Sequence, residues 1–141
     1  MIAYLDSSVL LRIVLEQPGA LVEWHDLTVG IASPLLAVEC YRTLERFWRL
    51  DQYDDETYAA KREDTATFLR RFDMVALDEQ VLRTATQPFP TIVRTLDAIH
   101  LASAIAYRGA QPPDERPLLF ATHDSQLARA AHAMNFEVIG A

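Results

Sequence analysis

Residues 2–11 read I-A-Y-L-D-S-S-V-L-L, and this stretch decides the fold. Ile2 to Leu5 suit a buried strand, Asp6 interrupts, and apolar residues resume after two serines. A four-residue strand running straight into a helix over about 8–16 is the start of a β-α unit, and so of a parallel sheet. An ionised carboxylate at the mouth of a core element is costly unless something compensates it. Asp6 must therefore face a helix N-terminus, an arginine or a metal ion.

The same alternation continues along the chain. Pro18 and Gly19 introduce a short helix ending near Asp26, and V-G-I-A (29–32) is a second strand. Ser33 and Pro34 open a long helix, as N-cap and first helical residue. A further helix is predicted over about 54–72, with Asp54, Asp55 and Glu56 in its first turn and Arg70 and Arg71 in its last, signs that suit the helix dipole. M-V-A-L (74–77) reads as a third strand, followed by a short helix before Pro88 and Pro90. L-D-A-I-H-L-A-S-A-I-A-Y (96–107) is apolar or small nearly all round, as in a helix buried on several sides, and is closed by Gly109 and Q-P-P-D-E-R-P. L-L-F-A (118–121) is a fourth strand, a helix spans about 124–134, Asn135 stands where a left-handed cap is wanted, and F-E-V-I (136–139) is a fifth strand. The expected architecture is a three-layer α/β/α sandwich around a five-stranded parallel sheet, spanning residues 1–141 as a single domain.

Bulk properties narrow the class. With 141 residues the chain is long enough to bury a core, and half of it is hydrophobic. The N-terminal stretch lacks a signal-peptide pattern, no apolar run reaches membrane-spanning length, and Cys40 is the lone cysteine, a small buried hydrophobe by default. A cytoplasmic location without membrane contact is expected. Thirteen basic against twenty acidic residues leave a net charge of −7, which argues against broad nucleic-acid affinity but not against nucleic-acid chemistry at a metal site.

Four acids share one expected place. Asp6 follows the first strand and Asp124 follows the fourth after Thr122-His123. Glu39 lies about a turn into the helix after the second strand, and Asp97 is in the first turn of the buried helix. In parallel sheets the site lies beyond the carboxyl ends of the strands. Taken singly, each acid has an ordinary use. Asp6 and Asp124 could cap helices, Asp97 suits a helix dipole, and Glu39 could pair with Arg42 or Arg46. Capping does not explain why four should converge, since crowded carboxylates repel and raise one another's pKa. A divalent cation removes that conflict, and an all-oxygen set favours Mg²⁺ or Mn²⁺ over zinc.

Other motifs mostly exclude. The four glycines form no dinucleotide or Walker loop, and there is no G-x-S-x-G elbow. The four histidines lack metal-motif spacing, and His100 reads as a satisfied core residue. Tyr41, Phe47 and Trp48 read as core, while Arg42, Arg46 and Arg49 make one edge of their helix a candidate phosphate contact.

L-D-S-S-V-L-L, Glu39 after S-P-L-L-A-V, T-L-D-A-I-H-L-A-S-A and F-A-T-H-D-S-Q-L-A-R-A-A together resemble the PIN domain, and more narrowly the VapC-type toxins of toxin–antitoxin pairs. The match covers essentially the whole chain, with four motifs in order. What the resemblance implies is a Mg²⁺- or Mn²⁺-dependent endoribonuclease, a homodimer and a cognate VapB-type antitoxin whose tail blocks the acidic cleft. Asp6, Glu39, Asp97 and Asp124 match the family's acids, Ser7 the hydroxyl residue after the first, and Thr122 the one before the last. Asn135 stands where the family has glycine, and tolerates the same backbone region. On this reading Asp6 and Asp97 are the principal metal ligands, Glu39 and Asp124 complete the shell, and Ser7 and Thr122 support them by hydrogen bonds. Arg42 and Arg46 would hold RNA phosphates.

Three rivals use the same acids differently. An aspartate-nucleophile phosphatase or a phosphate-accepting receiver domain would want a lysine near the later motifs and a second acid close to the first. Position 8 is serine, and Lys61 is the only lysine, in a surface-type helix. The third rival is a PIN-like module that has lost catalysis and only binds a partner, and the presence of all four acids speaks against it.

Overall fold

The computed structural model describes residues 1–114 and 117–141, so the loop expected over 111–117 includes two residues outside the described set. The first half of the chain runs β1 (Ile2–Leu5), α1 (Ser7–Val14), a 3-10 turn (Val22–Asp26), β2 (Val29–Ala32), α2 (Leu35–Arg49) and α3 (Asp55–Leu69). The second half runs β3 (Asp73–Met74), α4 (Glu79–Ala85), α5 (Thr95–Ala110), β4 (Leu119–Ala121), α6 (Ser125–Ala133) and β5 (Glu137–Ile139). All strand pairings are parallel, in the order β3-β2-β1-β4-β5.

That order has a consequence for function. The chain builds outward from β1 through β2 to β3, then crosses back to lay β4 and β5 on the other side. The carboxyl ends of β1 and β4 are adjacent strands whose connections depart in opposite directions, and such a switch point leaves a crevice at the sheet edge.

Alternation along the strands explains the layers. Tyr4, Ile31 and Phe120 point to one face, where they pack with Leu101, Ala104, Leu127 and Ala131 of α5 and α6. Ala3, Leu5 and Ala121 point to the other and meet Val9 and Leu21, while Ala32 packs with Leu10, Leu36, Cys40 and Leu44 of α1 and α2. Both faces are covered, which requires parallel strands to be apolar throughout. In α2 the buried residues Leu36, Cys40 and Leu44 recur every fourth position, the stripe of a helix with one face on the core. Gly30 admits a close approach: a Cβ there would lie 2.7 Å from Phe72 Cδ1, the side chain that seals this face.

The helix starts use the residues the sequence marks. Asp54 accepts from Thr57 N at 2.7 Å, so the acidic run is a capped helix start. Pro34 already has helical dihedrals, and Ser33 Oγ accepts from Leu35 N at 3.1 Å. Asn135 takes φ 62°, the left-handed position expected after α6. Trp48 stacks on Tyr58 with ring centroids 4.7 Å apart and donates to Asp55 Oδ1 at 2.8 Å, which ties α2 to α3.

Three boundaries differ from expectation, the first being that α3 ends at Leu69, so Arg70 and Arg71 lie past its last turn. The third strand is only Asp73–Met74, an exposed edge paired to β2 alone; Val75 N still donates to Ala32 O at 2.8 Å while its side chain packs on the core. Helix α5 runs through Gly109 to Ala110, since nothing lies within 4 Å of where a Gly109 Cβ would be and no turn is forced there. No helix among the described residues is long and apolar enough to cross a membrane.

Candidate functional site

Asp6 leaves β1 in extended conformation and stands at the N-cap position of α1, yet its side chain makes no capping bond. It is 4% exposed, and among the described residues no lysine or arginine pairs with it. Instead each carboxylate oxygen accepts a hydroxyl, Ser8 Oγ on Oδ1 at 2.6 Å and Thr122 Oγ1 on Oδ2 at 2.9 Å. Burial pushes the Asp6 carboxyl above the ordinary aspartate value, against the lowering pull of the Ser8 hydroxyl, His100 and Thr122. The expectation for Ser7 is corrected here: the serine that reaches Asp6 is Ser8. An N-cap side chain faces the second and third helical residues, and Ser8 is the second.

The two hydroxyls also receive. Ser8 Oγ accepts from His123 N at 2.9 Å and Thr122 Oγ1 from Asp124 N at 3.0 Å. The register Leu5–Ala121 sets Asp6 level with Thr122, and Asp6 N donates to Ala121 O at 3.2 Å. The Asp6 carboxylate is thus wired, through one hydroxyl each, to the two amides that place Asp124.

Asp124 caps α6 with Oδ1, which accepts from Gln126 N at 2.8 Å and Leu127 N at 2.9 Å. Its Oδ2 accepts from Arg94 Nη2 at 2.5 Å. Arg94 Nε donates to Asp97 Oδ2 at 2.9 Å, so one guanidinium spans carboxylates from the starts of α5 and α6. Partial burial pushes the Asp124 carboxyl up, but the Leu127 amide, Arg94 and the Gln126 amide outweigh it and hold it below the usual range.

Glu39 comes from α2 and reaches His100, one turn after Asp97 on α5, with Oε1 2.5 Å from Nε2. His100 is 1% exposed, and its Nδ1 lies 2.9 Å from the Tyr4 hydroxyl. A carboxylate only accepts, so Nε2 carries the proton and Nδ1 accepts from Tyr4. Burial raises the Tyr4 phenol far above its ordinary value, which keeps it a donor. His100 is therefore a satisfied core histidine that also orients a site carboxylate. Cys40, beside Glu39, has its thiol pushed up to about 12 by burial and then by Glu39 and Asp6; it is inert packing.

Contacts link the four acids indirectly: Glu39 to His100 on α5, Asp97 to Arg94 to Asp124, and Asp124 through Thr122 to Asp6. As the side chains stand, no three His, Cys, Asp or Glu among the described residues converge on a single point. Glu39 is turned to His100, and Arg94 lies between Asp97 and Asp124. Arg42 and Arg46 lie three and seven residues beyond Glu39 on α2, the spacing of one helix flank, and with Thr43, Glu45 and Arg49 they line an open groove of about 420 Å³. Arg42 pairs with Glu45, not with Glu39. Ser8, Arg94 and His100 are contacts that sequence reading missed, although Arg94 and His100 stand three residues either side of Asp97, one helical turn away.

The fold is a three-layer α/β/α sandwich in which Asp6 and Asp124 follow the adjacent strands β1 and β4 at the switch point of the parallel sheet. The sequence matches the PIN domain family over residues 3–133, and the chain belongs to that family. Solved structures with the same fold include a toxin–antitoxin complex from Klebsiella pneumoniae, at TM-score 0.66 and 13% identity over 99% of this chain and 96% of that one. FitAB bound to an IR36 DNA fragment matches at TM-score 0.72 and 17% identity, over 99% and 94%. FitAcB from Neisseria gonorrhoeae matches at TM-score 0.66 and 17% identity, over 99% and 96%. No curated protein matches.

Proposed function

We propose that the protein is a Mg²⁺- or Mn²⁺-dependent endoribonuclease and the toxin half of a toxin–antitoxin pair. What supports this is the set of contacts that links the four acids around α5, with the most buried, Asp6, held by the hydroxyls of Ser8 and Thr122. The donor set fits the ion by its chemistry. It is all carboxylate oxygen, and the nearby His100 has both ring nitrogens engaged. The Asp6 oxygens accept from two neutral hydroxyls, which leaves the negative charge of the carboxylate available to a cation.

Asp6 and Asp97 would be the principal ligands, with Glu39 and Asp124 completing the shell directly or through water. A divalent ion held there supplies Lewis acidity to the scissile phosphate, a more acidic water and charge stabilisation of the leaving oxygen. The chain's own groups do the rest. Ser8 and Thr122 lock Asp6, so it need not reorganise. His100 occupies Glu39 Oε1 and leaves Oε2 to accept the proton of the attacking water. The water oxygen adds to phosphorus, the bond to the leaving ribose oxygen breaks, and that oxygen takes a proton from solvent. Arg42 and Arg46 on the flank of α2 would hold flanking phosphates.

A phosphoryl-accepting aspartate would need a lysine at the site, and Lys61 is engaged with Glu16 at 3.2 Å on α3. An antitoxin partner is part of this reading, since a structure that shares the fold is a toxin–antitoxin complex; a homodimer and a cytoplasmic location are what the resemblance to PIN-domain toxins implies. The test is incubation of the purified chain with end-labelled single-stranded RNA. Cleavage with Mn²⁺, none with EDTA, and at least about a hundredfold loss in Asp6→Asn and Asp97→Asn is expected. Undiminished Mn²⁺-dependent cleavage by both variants would refute the assignment.

A further inference from the structure

We infer that Arg94 is the resident counter-ion of the acidic crevice, and that the divalent ion must displace it to load. The inference rests on the metal-site reading above and deepens it. Arg94 uses two nitrogens of its fork on two of the four acids, Nε on Asp97 Oδ2 at 2.9 Å and Nη2 on Asp124 Oδ2 at 2.5 Å. Both oxygens belong to the set proposed to hold the ion. A guanidinium and a divalent cation repel, and neither can share those oxygens without weakening the other.

The exchange is easy on the arginine's side. Its side chain is 60% exposed, whereas Asp97 and Asp124 are 14% and 29% exposed. Arg94 sits at the N-cap position of α5 in extended backbone and makes no capping bond, so its side chain can leave without undoing the helix. The acids stay where they are, because Asp124 is fixed by the α6 amides and Asp97 lies in the first turn of a helix buried along its next two turns. An exposed ion pair is weak enough to be given up, yet two on one guanidinium tax an incoming cation. The free protein thus keeps part of its crevice neutralised by its own chain.

Calorimetric titration of the full chain with MnCl₂, in the absence of RNA, tests this with wild type, Arg94→Gln and Arg94→Lys. Arg94→Gln should bind Mn²⁺ about three- to thirtyfold more tightly than wild type, the range that one or two exposed ion pairs support. Arg94→Lys, which keeps the charge and loses the fork, should fall between them. Equal or weaker Mn²⁺ binding by Arg94→Gln, with wild type binding normally, overturns the counter-ion role and leaves the metal site standing. No Mn²⁺ binding by any of the three overturns both.

Discussion

The Thr122 hydroxyl donates to Asp6 Oδ2 at 2.9 Å across 116 residues of sequence, and in turn accepts from the amide of Asp124. Ser8 makes the matching bridge from the other carboxylate oxygen to the amide of His123. A buried acid at the end of β1 thereby sets the position of the segment that follows β4. The site is built on this joint.

Thr122→Val and Ser8→Ala each leave one Asp6 oxygen and one backbone amide without a partner. Each should cost about 1–3 kcal/mol, the range for an orphaned buried polar group. Urea unfolding measures this. The double variant should lose a different amount from the sum of the two, because both act on one carboxylate. Additive losses would mean that the two bridges are independent.

The buried position of Asp6 makes stability depend on pH in a direction opposite to that of a salt-bridged acid. Its folded pKa is raised above the ordinary 3.8, so the folded state holds the proton more tightly than the unfolded one. The favourable contribution of the protonated form is full below the unfolded pKa and is lost as pH rises through the folded pKa. In EDTA, the stability of wild type relative to Asp6→Asn should therefore fall with rising pH across that window. Added Mn²⁺ should reverse the trend at neutral pH. A flat difference in EDTA would contradict the burial argument.

Tyr4→Phe removes the donor to His100 Nδ1 while keeping the ring that stacks on Phe120 at 5.3 Å. The loss should be about 1–3 kcal/mol in urea unfolding. Loosening His100 should also lower RNA cleavage through Glu39. Unchanged cleavage at full folding would show that Glu39 needs no support from this pair.

Much of the fold is legible because strand and helix periods alternate cleanly. I-A-Y-L, V-G-I-A and L-L-F-A are short apolar runs closed by polar residues, and four of the five strands lie within a residue or so of their expected bounds. M-V-A-L misleads because an edge strand needs only a few ladder bonds: Val75 packs on the core, while Ala76 and Leu77 are left exposed. Gly109 misleads because the cost of a helical glycine, about 1 kcal/mol against alanine, does not end a helix whose preceding turns are buried. At the site, the four acids stand out by their places after strands and at helix starts. Their partners do not. The step from Ser7 to Ser8 depends on the dihedrals of Asp6, and the bond from His100 to Glu39 joins residues 61 apart. Arg94 looks like any surface arginine until α5 and α6 bring Asp97 and Asp124 to its two sides.

The central claim is that carboxylates scattered through the chain hold a single divalent site. Anomalous diffraction from crystals soaked in MnCl₂ tests it most directly. A manganese peak within ligand distance of the Asp6 and Asp97 carboxylates, with Arg94 moved off Asp97, is the expected result. Manganese bound elsewhere, with Asp6 still closed by Ser8 and Thr122 and Arg94 still seated between Asp97 and Asp124, would contradict it.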